Sequence, residues 1–381
     1  MAVKCSKCNT EVSDTKKFSG FIFFLTILFV FPNFCLSEFS TSTIESAKFY
    51  VWMGEGKNHS DDYLERQFKK LREAGVDGVM YMCSAERYPG IIEIADQAGL
   101  EIHAWQVVLN CREKDVMENH KGWFTINGRG ESSLDYPPYV GYYKWLCPSN
   151  EYVQEYIEIK VSRLAGIEGL ESIHLDYIRH SDVILPIGLW KKYNLMMDRE
   201  YPEFDFCYCD VCLREFKTQT GIDPSKFEDP SLNKEWEQYR CDSITRLVNR
   251  LVEVVHQKGK LVTAAVFPTP AIAKKLVRQD WINWKLDMVY PMVYHNFYEK
   301  NVGWIKEAVH EGVEALNAKA PLISGLYIPS LDPDELGEAI AFSFEAGAAG
   351  ICLFGYEGMN AEHWTNFIKA VKKYKGTGGV R

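Results

Sequence analysis

Four helix ends in this chain carry the same punctuation, Glu73-Ala74-Gly75, Gln97-Ala98-Gly99, Gln257-Lys258-Gly259 and Glu345-Ala346-Gly347, and each is followed within a few residues by a short β-branched or aromatic run. A glycine can close a helix in the left-handed conformation at little cost, so the pattern reads as helix, tight turn, strand. Extended along the chain it predicts eight strands: Phe49–Met53, Gly78–Met82, Glu101–Leu109, Ser172–Ile178, Leu261–Phe267, Met288–Tyr294, Leu322–Tyr327 and Gly350–Phe354. Between them lie amphipathic stretches, clearest at Asp61–Ala74, Tyr152–Leu164, Trp236–Gln257, Gly303–Leu316, Asp334–Ala346 and Glu362–Lys373. Eight strand-helix units predict a (β/α)8 TIM barrel, an α/β fold in which each helix crossover sets the next strand parallel to the last; it is expected over residues 45–376. Two connections exceed what a barrel requires, Cys111 to Ser149 and Ser181 to Lys234, so long insertions are expected over the mouth after strands three and four.

The rest of the composition narrows the partner. A net charge of −9 disfavours nucleic acid, which calls for a basic stripe, and no glycine-rich phosphate loop or dinucleotide fingerprint is present. Aromatic residues make up 14% of the chain, and the first insertion carries Trp123, Tyr136, Tyr139, Tyr142, Tyr143 and Trp145, enough to pack a wall and still leave faces for flat ligands such as sugar rings. Residues 1–40 form a separate unit. An uncharged apolar run from Phe18 to Ser37 follows Lys16-Lys17, which reads as a signal peptide, with Cys35-Leu36-Ser37 at the cleavage position, or as a signal anchor. The chain is therefore expected outside the cytoplasm, secreted, periplasmic or attached to the envelope through that segment. The pair Cys5 and Cys8 ahead of it has no second pair nearby.

Chemistry in such a barrel is done where the strands end. In strand four, Ile173-His174-Leu175-Asp176-Tyr177-Ile178, alternation puts His174 and Asp176 on the face opposite Ile173 and Leu175. An acid delivered inward at the end of a buried strand needs a partner or a task, which makes Asp176 the first catalytic candidate. Glycoside chemistry needs a second carboxyl group, and Glu55, Glu86 and Glu357 follow strands one, two and eight; Glu357, between Gly355 and Gly358, has the most favourable setting. In this assignment Glu357 is the general acid and Asp176 the ionised nucleophile or base. Trp105 and Gln106 leaving strand three, His174, Arg179 and His180 around strand four, and Tyr294 and His295 leaving strand six complete the expected substrate-binding set.

Cys207, Cys209 and Cys212 stand at C-x-C-x-x-C spacing in the second insertion, which suits one tetrahedral zinc with a distant fourth ligand from among Cys111, Cys147 and Cys241. Disulfide pairing is the alternative in an exported protein. A structural ion is expected, no catalytic metal and no organic cofactor.

Several stretches resemble the glycosyl-hydrolase-like family 10 barrels of bacterial export pathways: His174-Leu-Asp-Tyr-Ile-Arg179, Trp236-Glu-Gln-Tyr-Arg240 with Leu247-Val-Asn249, Ala265-Val-Phe-Pro268, and Gln279-Asp-Trp running to Met288-Val-Tyr-Pro-Met-Val-Tyr294. The match covers strands four to six. It departs at Asp176, which lacks the adjacent second acid of many members, and at Met292-Val-Tyr-His295, where the family tends to have Gln-Ile-Tyr-Trp. Locally, Cys207-Tyr-Cys-Asp-Val-Cys-Leu-Arg-Glu-Phe216 is similar to the zinc cluster of family 42 beta-galactosidases. These resemblances imply an exported glycoside hydrolase acting on a polysaccharide or cell-wall glycan; the rival reading is a non-catalytic carbohydrate-binding barrel.

Overall fold

The computed structural model describes residues 46–54 and 59–376, so the apolar segment, Cys5, Cys8 and Glu55 lie outside the described residues. Eight parallel strands form the barrel: β1 (Lys48–Gly54), β2 (Gly78–Met82), β3 (Glu101–Val107), β4 (Leu170–Asp176), β5 (Leu261–Val266), β6 (Met288–Pro291), β7 (Ile323–Tyr327) and β8 (Gly350–Phe354). They run in the order β6-β5-β4-β3-β2-β1-β8-β7. The remaining seam, β6 against β7, closes through the single bridges Val289 to Leu322 and Met292 to Gly325. The helices are α1 (Asp61–Glu73), α2 (Tyr88–Ala98), α3 (Lys114–Asn119), α4 (Glu151–Ala165), α5 (Ile187–Tyr193), α6 (Asp210–Thr220), α7 (Lys234–His256), α8 (Pro270–Val277), α9 (Trp304–Leu316), α10 (Pro333–Glu345) and α11 (Ala361–Lys375). Among the described residues no helix is long and apolar enough to cross a membrane.

Two apolar layers hold this arrangement. Outward-facing strand residues such as Val51, Val79, Ile173, Leu175 and Leu353 pack under the helices, against Leu64, Phe68, Ile157 and Leu247 among others, all buried. Inward-facing residues fill the barrel itself: Tyr50, Trp52, Met80, Met288, Tyr290, Ile323 and Cys352. The period-two alternation expected of strand four thus holds, since His174 contacts the inner rings of Trp52 and Tyr290 while its neighbours Ile173 and Leu175 join the outer layer.

Strand ends differ from expectation where the backbone stops extending. Strand four ends at Asp176, two residues early, because Tyr177 takes a left-handed φ of 50°. Strand six ends at Pro291, ahead of the expected Tyr294, at a residue with no N–H to give to the ladder. The two insertions are present as expected, one after β3 and one after β4, and they are stitched together. Tyr208 donates its amide to the Ile126 carbonyl at 2.7 Å, and Asn127 bridges antiparallel to Phe206. Beneath them the buried Arg240 pairs with Asp205 and Arg278 pairs with Glu200, fixing the second insertion to α7 and α8.

Candidate active site

Strand four carries Asp176 to the mouth on its last residue, so the carboxyl group enters the barrel with no intervening loop. The Trp105 indole donates to Asp176 Oδ2 at 3.0 Å, and the Tyr177 amide, turned by its left-handed backbone, donates to Oδ1 at 2.6 Å. Burial pushes the Asp176 carboxyl above the usual carboxylate range, opposed by those two donors and by the Arg179 guanidinium. Desolvation outweighs the donors, so the shift runs against the expectation of an acid kept ionised by its neighbours.

Around it opens a cavity of about 730 Å3. Its inner part is aromatic and polar, with Trp52, Trp105, Gln106, Tyr177, Tyr294 and Phe354 around Asp176. Tyr294 stacks on Phe354 with ring centres 6.0 Å apart and 11° between planes, and lies tilted against Tyr327 at 5.2 Å. Arg179 is buried with its guanidinium 4.8 Å from the Trp145 ring and 5.0 Å from that of Phe267, and its Nη1 pairs with Asp182 at 2.8 Å. At the rim Glu86 pairs with Arg163 at 2.7 Å and Glu113 with Lys160 at 2.5 Å. Hydrogen bonds from its own amide and from Ser84, helped by Arg163, lower the Glu86 carboxyl.

The remaining expected residues fall into two groups. Trp105, Gln106, Arg179 and Tyr294 line the cavity with Asp176; His174, His180, His295 and Glu357 do not. His174 lies below the mouth, where its Nε2 accepts from Trp52 Nε1 at 2.9 Å, so its proton sits on Nδ1 and is given to Thr263 Oγ1 at 2.8 Å. Burial pushes it down to about 3, making it a neutral core strut. His180 is likewise pushed down to about 3, by burial and by Arg240 and Arg278, and sits under the second insertion. His295 is buried at the start of a short turn, and burial lowers it too. Glu357 is exposed: β8 ends at Phe354, Gly355 reverses the chain with a φ of 78°, and the turn Tyr356–Gly358 carries Glu357 outward. Tyr177 and Phe354 are the residues sequence reasoning missed. Alternation from Cys352 would have found Phe354, whereas nothing in the sequence signals a left-handed tyrosine.

Cys147 joins Cys207, Cys209 and Cys212, with all four sulfurs within 4.8 Å of one another. Cys147 Sγ lies 3.6 Å from that of Cys209 and 3.5 Å from that of Cys212, close to the ~3.8 Å edge of a tetrahedral thiolate zinc with ~2.3 Å bonds. All four are free thiols, and the Ile126 amide points at Cys207 Sγ from 3.4 Å. The donor set fits a closed structural site.

No protein-family model matches the chain, and no curated protein matches it either. Solved structures do. The catalytic domain of a beta-amylase from Paenibacillus polymyxa superposes with a TM-score of 0.61 at 10% identity, covering 87% of this chain and 99% of that one. A beta-galactosidase from the haloarchaeon Halorubrum lacusprofundi gives 0.63 at 11%, covering 86% and 58%. A family 42 beta-galactosidase from G. stearothermophilus gives 0.58 at 10%, covering 88% and 57%. The chain thus spans little more than half the length of those galactosidases. At such identities the likeness is one of fold, a barrel of the kind glycoside hydrolases use.

Proposed function

We propose that the protein is an exported glycoside hydrolase. The observation that carries this reading is Asp176, a carboxyl group at the barrel mouth inside an aromatic cavity, which burial raises above the usual carboxylate range. A carboxyl so placed can protonate a glycosidic oxygen as the bond breaks. We assign the ionised partner to Glu86, which lines the same cavity and whose surroundings lower it, in place of Glu357, which faces away. Two carboxyl groups driven apart in protonation is the division of labour that glycoside cleavage uses. Trp105 and Tyr294 offer ring faces to the sugar, Gln106 a side-chain carbonyl. The substrate is a carbohydrate. The apolar segment at residues 18–37 carries the chain across or into the membrane, leaving the barrel outside the cytoplasm.

The four thiolates hold a structural zinc, which clips the first insertion to the second and takes no part in the reaction. Elemental analysis of the purified protein is expected to find close to one zinc per chain; metal-free protein with those cysteines in disulfides would overturn that assignment.

Screening a panel of glycans and aryl glycosides for released reducing ends tests the activity. Release by the wild type and none by Asp176→Asn is expected. Undiminished sugar binding by both, with no release from any glycan, would establish the rival, a carbohydrate-binding barrel.

A further inference from the structure

The cavity is chemically two-sided, and its outer side does not suit a sugar. One wall is built by α5 and the chain before it, which supply Leu185, Pro186, Leu189 and Tyr193. Tyr139 of the first insertion and Phe297 of the turn after β6 extend that wall. These pieces touch one another. Tyr139 lies 6.3 Å from Tyr193 by ring centres and packs with Leu185 and Leu189. At Gly188 a side chain would meet the Asn296 carbonyl at 2.4 Å and the Phe297 backbone at 3.0 Å, so α5 is pressed onto that turn and the wall has no gap there.

Two polar groups near this wall, the Tyr139 hydroxyl and the Asp182 carboxylate, are already engaged. The Tyr139 hydroxyl donates to the Asp182 carbonyl at 2.7 Å, and the Asp182 carboxylate is paired with Arg179. Glu86 with Arg163 and Glu113 with Lys160 neutralise each other at the rim. Among the described charged residues that line the cavity, Asp176 and Arg112 alone carry no ion pair. A sugar ring presents hydroxyls all round its edge, and each one set against leucine and proline would lose its hydrogen bonds to water without replacement. An alkyl or aromatic group loses nothing there and gains by leaving water.

We propose that this cavity takes a glycoside with an apolar aglycone, the sugar seated by Trp105, Gln106 and Tyr294 at Asp176 and the aglycone lodged against Leu185, Leu189 and Tyr139. The proposal rests on the glycosidase reading and names its substrate class. In the cleavage step the bond from the anomeric carbon to the aglycone oxygen breaks with its electron pair going to oxygen. Asp176 gives that oxygen its proton, water adds to the anomeric carbon as the Glu86 carboxylate takes one of its protons, solvent exchange returns that proton to Asp176, and the products are the free sugar and the apolar alcohol or phenol.

For whichever sugar the glycan and glycoside panel identifies, methyl, butyl and octyl glycosides, kept below their micelle concentrations, test the chain-length dependence, and p-nitrophenyl glycosides test aromatic aglycones. Each buried methylene is worth about fourfold in binding, so seating even two of the seven methylenes that octyl adds is expected to raise kcat/KM about tenfold or more over methyl. A high octyl value marks a lipid-like aglycone as the natural one, and a p-nitrophenyl KM below the octyl KM an aromatic one, KM being compared because p-nitrophenolate is also the better leaving group. Leu189→Asn is expected to collapse the octyl-to-methyl ratio and Leu189→Met to keep it, with melting temperatures confirming that both fold. A ratio near one, or faster cleavage of disaccharides than of octyl glycosides, overturns the proposal and leaves the hydrolase reading standing. Calorimetric titration of Asp176→Asn with octyl glycoside separates the two ideas further: tight chain-length-dependent binding where the wild type cleaves nothing would sink the hydrolase and keep the apolar seat.

Discussion

The ends of β4 and β8 both look in the sequence like places that deliver a carboxyl group to the mouth, and only one of them does. At β4 the acid is the final strand residue, so the direction of its side chain is fixed by the pleat and by the ladder to β3, which pairs Val107 with Asp176. At β8 the last strand residue is Phe354, and Glu357 comes after a left-handed glycine, where the inward-outward rule no longer applies. The lesson is one of distance from the ladder. A side chain's direction can be read from alternation while the backbone is hydrogen-bonded to a neighbour strand, and is lost within one reversed φ.

The largest test of this contrast is catalytic. Asp176→Asn is expected to lower kcat by about 10³-fold or more on a substrate with a poor leaving group, while Glu357→Gln leaves turnover at the wild-type level, general acid assistance being worth ~10²–10⁴-fold. An equal loss in the two variants would break the comparison. A smaller effect sharpens it at Trp105, whose N–H bonds Asp176 and thereby favours the carboxylate. Trp105→Phe is expected to cost about three- to tenfold in kcat, the worth of one neutral hydrogen bond, and to move the alkaline limb of the kcat/KM profile to higher pH. A limb that stays put would detach the indole from the titrating group.

The smallest effect is on stability. Because burial raises the Asp176 carboxyl in the fold, its favourable contribution is present below the unfolded value of about 3.9 and is lost as pH rises through the folded value. Asp176→Asn is therefore expected to match the wild type at pH 3 in denaturant melts and to exceed it at pH 8. A variant that is less stable than the wild type at pH 8 would show that Trp105, Tyr177 and Arg179 hold the carboxylate more strongly than burial opposes it.

Much of this molecule is legible in sequence because the barrel repeats one rule. All eight strands fall on the expected runs, and both insertions are where connection lengths put them. Some of the cavity lining is legible on strands, as at Trp105, Gln106 and Asp176, whereas Phe354 at the end of β8 was missed. Histidines mislead, since His174 and His180 have the look of substrate ligands and are instead neutral interior groups, a fate decided by depth along the barrel axis rather than by type. The cysteine cluster was half visible. Its three close thiols are local in sequence, but choosing Cys147 over Cys111 or Cys241 depended on how the two insertions cross, which no spacing encodes.

The seam between β6 and β7 has a consequence for how the barrel breathes. Elsewhere neighbouring strands share ladders of several successive pairs, as in the five registered pairs from Tyr50 to Gly54 along β2, whereas here two separate bridges do the joining. Local opening follows the fewest bonds, so the amides of Val289 and Val293, which reach across to Pro321 and Gly325, should exchange with solvent deuterium earlier than those of β1 to β4. Tyr294 stands three residues past the end of β6, and its ring stacks on Phe354 across the seam. The aromatic face expected to meet the sugar is thus mounted on the most easily opened joint of an otherwise rigid ring, and a ligand stacked there would slow exchange along the seam.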